Sequence, residues 1–209
     1  MNGFAIAGWL AASYLLGAIP TSYIVGKLFR GIDLREVGSR NLGATNLYRT
    51  MGWKYAVPVG LFDVAKGAIP VALFGPQITT LALFPVYCGI AAVLGHVFSV
   101  FVGFRGGKGV ATAAGVVLGL APYALLAVAL VWAIIVWLTG YVSLGSVIAA
   151  SLFPVGAELL HPDRPEPLWF DIVLAAFLVF KHRSNIQRLV NGTENRFGSR
   201  GKPAQAARP

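Results

Sequence analysis

Residues 110–138 read VATAAGVVLGLAPYALLAVALVWAIIVWL, a run of 29 residues without a charge. A helix needs roughly 20 apolar residues to cross a hydrocarbon core. The run is long for one span and short for two full ones. Ala121-Pro122-Tyr123 offers a break, because proline cannot donate a helical hydrogen bond and its ring crowds the preceding turn. Splitting the run there, or leaving it whole, decides the topology.

Outward from this run lie further apolar stretches. Phe4–Gly26 reads as the first span, with a kink at Pro20; Ala56–Phe74 carries Asp63 and Lys66, and Ile78–Val102 carries His96. Val142–Leu160 follows, then a short Leu168–Phe180 with Asp171. Apolar residues make up 56% of the chain and charged ones 12%, against about 25% charged in soluble domains. Mean hydropathy is +0.70. The expected fold is all-α, a polytopic membrane helix bundle. Residues 1–197 form one transmembrane domain, and 198–209 are a basic, flexible Gly/Pro/Ala-rich tail. The first apolar segment lacks a basic start and is as long as a span, so it does not read as a cleavable signal. One cysteine, Cys88, allows no internal disulfide.

The net charge of +9 would suggest nucleic acid in a soluble protein. Here the positive-inside rule accounts for it. Fifteen of the 17 Lys and Arg fall in three clusters, within 27–54, at Arg105 and Lys108, and within 181–208. All three are expected on the cytoplasmic side. Splitting at Pro122 gives about seven spans, N-terminus outside and C-terminus cytoplasmic. The rival keeps one long helix and a last segment that does not cross, giving five.

Three polar segments carry chemistry. Gly38-Ser39-Arg40-Asn41-Leu42-Gly43-Ala44-Thr45-Asn46, with Arg49 after it, offers hydroxyls, amides and a guanidinium that suit phosphate oxygens. The plain alternative is a loop capping a short helix. Arg105-Gly106-Gly107-Lys108-Gly109 joins two cations to a glycine turn that lets backbone approach an anion. It lacks the G-x-x-x-x-G-K-[ST] spacing, so no ATPase follows; its alternative is a tight turn with a snorkelling lysine. In the third segment, His182, Asn185 and Arg188 share one face if helical, before Gly192-Thr193-Glu194.

Asp63 and Lys66, three apart, read as a structural pair facing the bundle. His96 reads as a hydrogen-bonded residue near the site rather than a catalyst. Ser143 falls where a helix begins at the cytoplasmic side, able to cap it or touch substrate. Gly115-x-x-x-Gly119 allows close helix packing. There is no G-x-S-x-G elbow, no H-E-x-x-H or Cys/His metal spacing, and no H-x-x-x-x-D pattern.

Together GSRNLGATNLYR, GHVFSVFVGFRGGKGVAT and HRSNIQRLVNGTE resemble the bacterial acyl-phosphate:glycerol-3-phosphate acyltransferase family, over about residues 4–197. Departures are mild: Arg40 replaces a common Gly, Ser99 a common Pro, and Arg105 a common Lys. The resemblance implies a seven-span inner-membrane enzyme with its site on the cytoplasmic face. It would move a fatty acyl group from acyl phosphate to the 1-hydroxyl of sn-glycerol 3-phosphate, giving lysophosphatidate and phosphate. Guided by it, Ser39, Arg49, Lys108 and Asn185 are expected as phosphate ligands. Gly106 and Gly107 would give backbone access to the acyl phosphate, while Asn41, Thr45 and Asn46 would touch substrate. His182 and Ser143 would orient glycerol 3-phosphate, and Glu194 would hold the last segment, by an Arg or by capping. No cofactor or metal is expected, and no nucleic acid; membrane lipid is the surrounding partner. The proton acceptor is either His182 or a donor phosphate oxygen, with the second favoured. Rival readings are a small anion or phosphate transporter, a lipid-binding scaffold, and an acyltransferase using acyl-CoA or acyl-carrier protein.

Overall fold

The computed structural model describes residues 3–197, so the expectation for 198–209 lies outside the described residues. Those described form ten α-helices and no strand. Helix α1 (Gly3–Ala18) stops at Ile19-Pro20, and α2 (Thr21–Arg30) follows. Pro20 therefore breaks the first segment rather than kinking it, since it has no N–H to bond the Leu16 carbonyl one turn back. A loop leads to α3 (Ala44–Met51) and α4 (Trp53–Ile69), which continues through a π-helical turn at Pro70–Phe74. Helix α5 (Phe84–Val97) starts six residues later than the apolar run at Ile78. Pro85 sets that start, since proline fits only a helix's first turn without losing a bond. Then come α6 (Val110–Leu120), α7 (Pro122–Thr139), α8 (Val142–Leu160), α9 (Leu168–Lys181) and α10 (Arg183–Val190). The long uncharged run is thus broken at Ala121-Pro122.

Five helical segments are long and apolar enough to cross a membrane: Gly3–Arg30, Trp53–Gln77, Phe84–Val102, Pro122–Thr139 and Val142–Leu160. Helices α6 and α9 are shorter, at 11 and 14 residues. The main packed pairs are α1 with α5, α4 with α6, α7 with α8, and α8 with α9. The α4–α6 contact is backbone on backbone. A Cβ at Gly115 would strike the Val64 carbonyl, and one at Gly67 would strike the Thr112 carbonyl.

Contacts show which helix ends lie together. The Phe197 N–H donates to the Gly140 carbonyl at 2.5 Å, and Arg49 donates to the Asn195 carbonyl at 3.1 Å. These bring the loop after α7, helix α3 and the segment after α10 to one end. At the other, the Tyr123 N–H donates to His161 Nε2 at 3.2 Å. Arg164, in the loop after α8, pairs with the buried Asp171 of α9. Between the ends, Lys66 Nζ lies 2.6 Å from Asp63 Oδ1 and donates to the Ile19 carbonyl at 2.9 Å. The expected Asp63–Lys66 pair therefore also closes the break at Pro20.

Gly115→Val is expected to lower stability by about 3 kcal/mol or more by forcing α4 and α6 apart. Thermal unfolding in detergent, compared with Gly119→Ala as a control of the same motif, measures it.

Candidate active site

Loop 31–43, the α5–α6 turn, the N-terminus of α8 and helix α10 surround one cavity of about 510 Å³. Its mouth is polar: Ser39, Asn41, Thr45, Arg49, Lys108, Ser143, His182, Asn185 and Glu194 all line it. Deeper, between α6, α7, α8 and α9, the walls become apolar, with Val117, Leu125, Val128, Trp132, Phe153 and Leu174.

Several of these polar groups are held from behind. Asn46 organises the loop: its Oδ1 accepts from the Ser39 N–H at 2.8 Å, and its Nδ2 donates to the carbonyls of Leu34, Val37 and Asn41, each at 3.1 Å. Asp33 and Arg35 brace the same loop at 2.7 Å. The Arg35 hydrogen bond holds the Asp33 carboxyl down at about 2. Arg49 is anchored through one terminal nitrogen on the Asn195 carbonyl, while its buried Nε has no partner. Burial pushes its pKa below the usual guanidinium value.

Lys108 Nζ donates to Asn185 Oδ1. Burial, only partly countered by Glu194, lowers its pKa to about 8. Asn185 Nδ2 in turn donates to Glu194 Oε1 at 2.8 Å. Ser143 Oγ donates to the same oxygen at 2.9 Å, and Arg188 Nε donates to Oε2 at 2.7 Å. Burial alone would raise the Glu194 carboxyl, but these three donors outweigh it and the pKa falls. His182 Nδ1 lies 2.8 Å from the Leu178 carbonyl. A carbonyl only accepts, so Nδ1 carries the proton and Nε2 is left as an acceptor. Burial lowers the His182 pKa to about 4, so the ring is neutral at pH 7. Among the described residues, no group of three or more His, Cys, Asp or Glu is placed to hold a metal.

A sequence model described as "Glycerol-3-phosphate acyltransferase" matches residues 7–192. The chain belongs to the glycerol-3-phosphate acyltransferase family. A relative of that name from Trichlorobacter lovleyi is 47% identical, covering 90% of this chain and 96% of its own. Another from Chlorobaculum parvum is 42% identical, covering 91% and 97%. The crystal structure of PlsY (YgiH), an integral membrane glycerol 3-phosphate acyltransferase, in its glycerol 3-phosphate form is similar with a TM-score of 0.85 at 40% identity. It covers 92% of this chain and 96% of that one. The lysophosphatidic acid form of PlsY gives a TM-score of 0.82 at 39% identity, covering 92% and 95%.

Within this family member, most of the polar residues singled out in the sequence meet at one mouth, but three of them do other work. The Asn46 amide is committed to the loop, so it shapes the site without a free group for substrate. Gly106 and Gly107 do not line the cavity. Their N–H groups donate to the carbonyls of Val97 and His96, both at 3.1 Å. A Cβ on Gly106 would strike the His96 carbonyl, and one on Gly107 would strike the His96 ring and the Leu42 carbonyl. The glycines thus let the turn fold onto α5, which aims Lys108, and they offer no N–H to an anion. His96 is buried beside the cavity, near the site as expected, but its Nδ1 lies 3.9 Å from Asp63 and has no hydrogen-bond partner. Two departures from the family pattern have local consequences. Arg40 sits at φ 57, a left-handed conformation that favours glycine. Ser99 holds φ −64, the proline value, and its Oγ donates to the Ala18 carbonyl at 2.5 Å. Sequence reasoning missed that Asp63 lines the cavity, and it missed the whole apolar slot.

Glu194→Ala strands the donors of Asn185, Ser143 and Arg188. It is expected to cost about 2–3 kcal/mol, read as a lower melting temperature in detergent. Because the folded pKa is depressed, this contribution is complete above the ordinary carboxylate range and is lost as pH falls through the folded value.

Proposed function

We propose that this chain transfers a fatty acyl group from an acyl phosphate to the 1-hydroxyl of sn-glycerol 3-phosphate, giving 1-acylglycerol 3-phosphate and inorganic phosphate. One observation carries the reading: a cationic, hydrogen-bonding mouth opens directly into an apolar slot. That shape suits an acyl chain whose reacting end bears phosphate, beside a second small phosphate ester. The names of the relatives, and the two ligand forms of PlsY, support glycerol 3-phosphate as acceptor and lysophosphatidate as product.

An acyl phosphate is a mixed anhydride, so its carbonyl carbon is already activated. The attacking hydroxyl forms the new ester bond, the C–O bond to phosphate breaks, and the hydroxyl proton leaves on phosphate. The protein's part is to position both reactants and stabilise departing charge. Lys108, Arg49, Ser39 and Asn185 take the phosphate oxygens, while Asn41, Thr45 and Ser143 complete the polar wall. Neutral His182 orients the hydroxyl through Nε2. With a pKa of about 4 it is a weak proton sink, whereas the departing phosphate gains negative charge and basicity as its C–O bond breaks. The donor phosphate is therefore the better acceptor of the proton.

We further infer seven crossings, N-terminus outside, in a bacterial inner membrane with the site on the cytoplasmic face. The contacts at the two ends support this, as do the basic clusters that share the end of the cavity mouth. Helices α6 and α9 would cross as short spans.

Purified protein in detergent should release phosphate and form lysophosphatidate from lauroyl phosphate and glycerol 3-phosphate. Lauroyl-CoA in place of the donor should give neither; phosphate flux in liposomes without donor would favour transport instead. Lys108→Ala should lower kcat/KM by about 100-fold or more. The charged lysine is the working form, so the rate should fall as pH rises through about 8, and Lys108→Arg should remove that limb. His182→Gln should retain a rate within about tenfold of wild type if phosphate takes the proton; a loss of about 100-fold or more assigns that role to His182.

A further inference from the structure

We infer that Phe153 is the floor of the apolar slot and sets the length of acyl chain the protein accepts. The inference rests on the acyl-transfer reading above. The cavity lining stops short of the far end of all four helices. Its deepest lining residues are Val117 on α6, Leu125 on α7, Phe153 on α8 and Leu174 on α9. Below these the interior is packed solid. Ala121, Ala124 and Ala157 are fully buried, Phe170 nearly so, and none of them lines the cavity. These eight residues, Phe153 among them, belong to, or pack against, a single contiguous apolar cluster.

Helix geometry measures the depth. Ser143 at the mouth and Phe153 are ten positions apart on α8, or about 15 Å at 1.5 Å per residue. The corresponding run on α9, from His182 to Leu174, is eight positions and about 12 Å. An extended alkyl chain advances about 1.25 Å per carbon, from a 1.52 Å bond at about 111°. The slot therefore holds roughly 10–12 carbons before meeting the ring. Of the four floor residues, Phe153 is the only aromatic, with the largest side chain to remove. The next side chain on its own face of α8 is Ala157, about 6 Å deeper. Deleting the ring opens space for up to about four more carbons. Conversely, Ala150 lines the slot one turn nearer the mouth, so enlarging it raises the floor by about 4.5 Å.

Lauroyl, myristoyl, palmitoyl and stearoyl phosphates, each with glycerol 3-phosphate, test this in detergent-purified full-length protein. Phe153→Ala is expected to raise the kcat/KM ratio of stearoyl to lauroyl phosphate by about tenfold, the worth of roughly two buried methylenes. Ala150→Leu is expected to lower the same ratio. The KM for glycerol 3-phosphate should stay within about twofold, which a general loosening of the site would not allow. If Phe153→Ala fails to fold, Phe153→Val is measured by the same ratio. Active variants with an unchanged ratio overturn the floor and leave the acyl-transfer reading standing. A wild-type protein that transfers from none of these donors overturns that reading, and the floor with it.

Discussion

A charged lysine in an apolar interior costs several kcal/mol unless it is paired and hydrogen-bonded, and Lys66 meets both needs at once. Its nitrogen sits 2.6 Å from Asp63 and 2.9 Å from the Ile19 carbonyl. That carbonyl sits in the break itself, where it also accepts from the Thr21 N–H at 3.0 Å. One ammonium thus neutralises a carboxylate in α4 and caps the break between α1 and α2. Thr21 donates to the same carboxylate at 3.3 Å, and His96 of α5 lies beside it. Beyond the break, α2 leads into loop 31–43 at the cavity mouth.

From that junction the geometry passes to the reacting groups through backbone contacts. Helix α5 meets the glycine turn through the carbonyls of His96 and Val97, so the position of α5 becomes the position of Lys108. Lys108 meets Asn185, and Asn185 meets Glu194. Glu194 also takes Ser143 and Arg188. A single carboxylate therefore ties the start of α8 to both ends of α10, and indirectly to the α5–α6 turn. With two cations nearby it remains ionised and acts as an acceptor only, which leaves the Lys108 charge directed at whatever anion occupies the mouth.

Charge and proline made the frame legible in the sequence. The basic clusters pointed to one end of the bundle, Pro122 split the long run, and Pro20 and the Asp63–Lys66 spacing marked the first junction. Polar residue types in three short segments pointed to most of the mouth. What was illegible has a common cause. In a chain where nearly every position of a span is apolar, periodicity does not say which face is buried, so nothing marked Phe153, Trp132 or Leu174 as slot-lining. The glycine turn was misread for a related reason: glycine serves close approach to an anion and close approach to another backbone equally well. Only the partners of the two N–H groups separate these, and they are the carbonyls of α5. Asn46 was likewise indistinguishable from Asn41 by type, although its amide is spent four times over on its own loop.

On the proposed acyl-phosphate reaction, the same arrangement explains why the site needs no nucleophile of its own. An acyl group that arrives already activated needs charge stabilisation at the leaving phosphate and alignment of one hydroxyl. Both are jobs for groups held rigidly in a partly dry setting. Drying the mouth lowers the Lys108 pKa to about 8 and the His182 pKa to about 4, which separates their states at neutral pH. The lysine stays mostly charged and the histidine stays neutral. Had the mouth been wetter, the histidine would titrate near 6.5 and compete with phosphate for the proton. Had it been drier still, the lysine would lose the charge that the leaving group requires. The depth of burial at the junction of polar mouth and apolar slot is thus itself a functional setting. It follows from α5, α8 and α9 reaching the mouth while the slot between α6 and α9 remains lined by hydrocarbon.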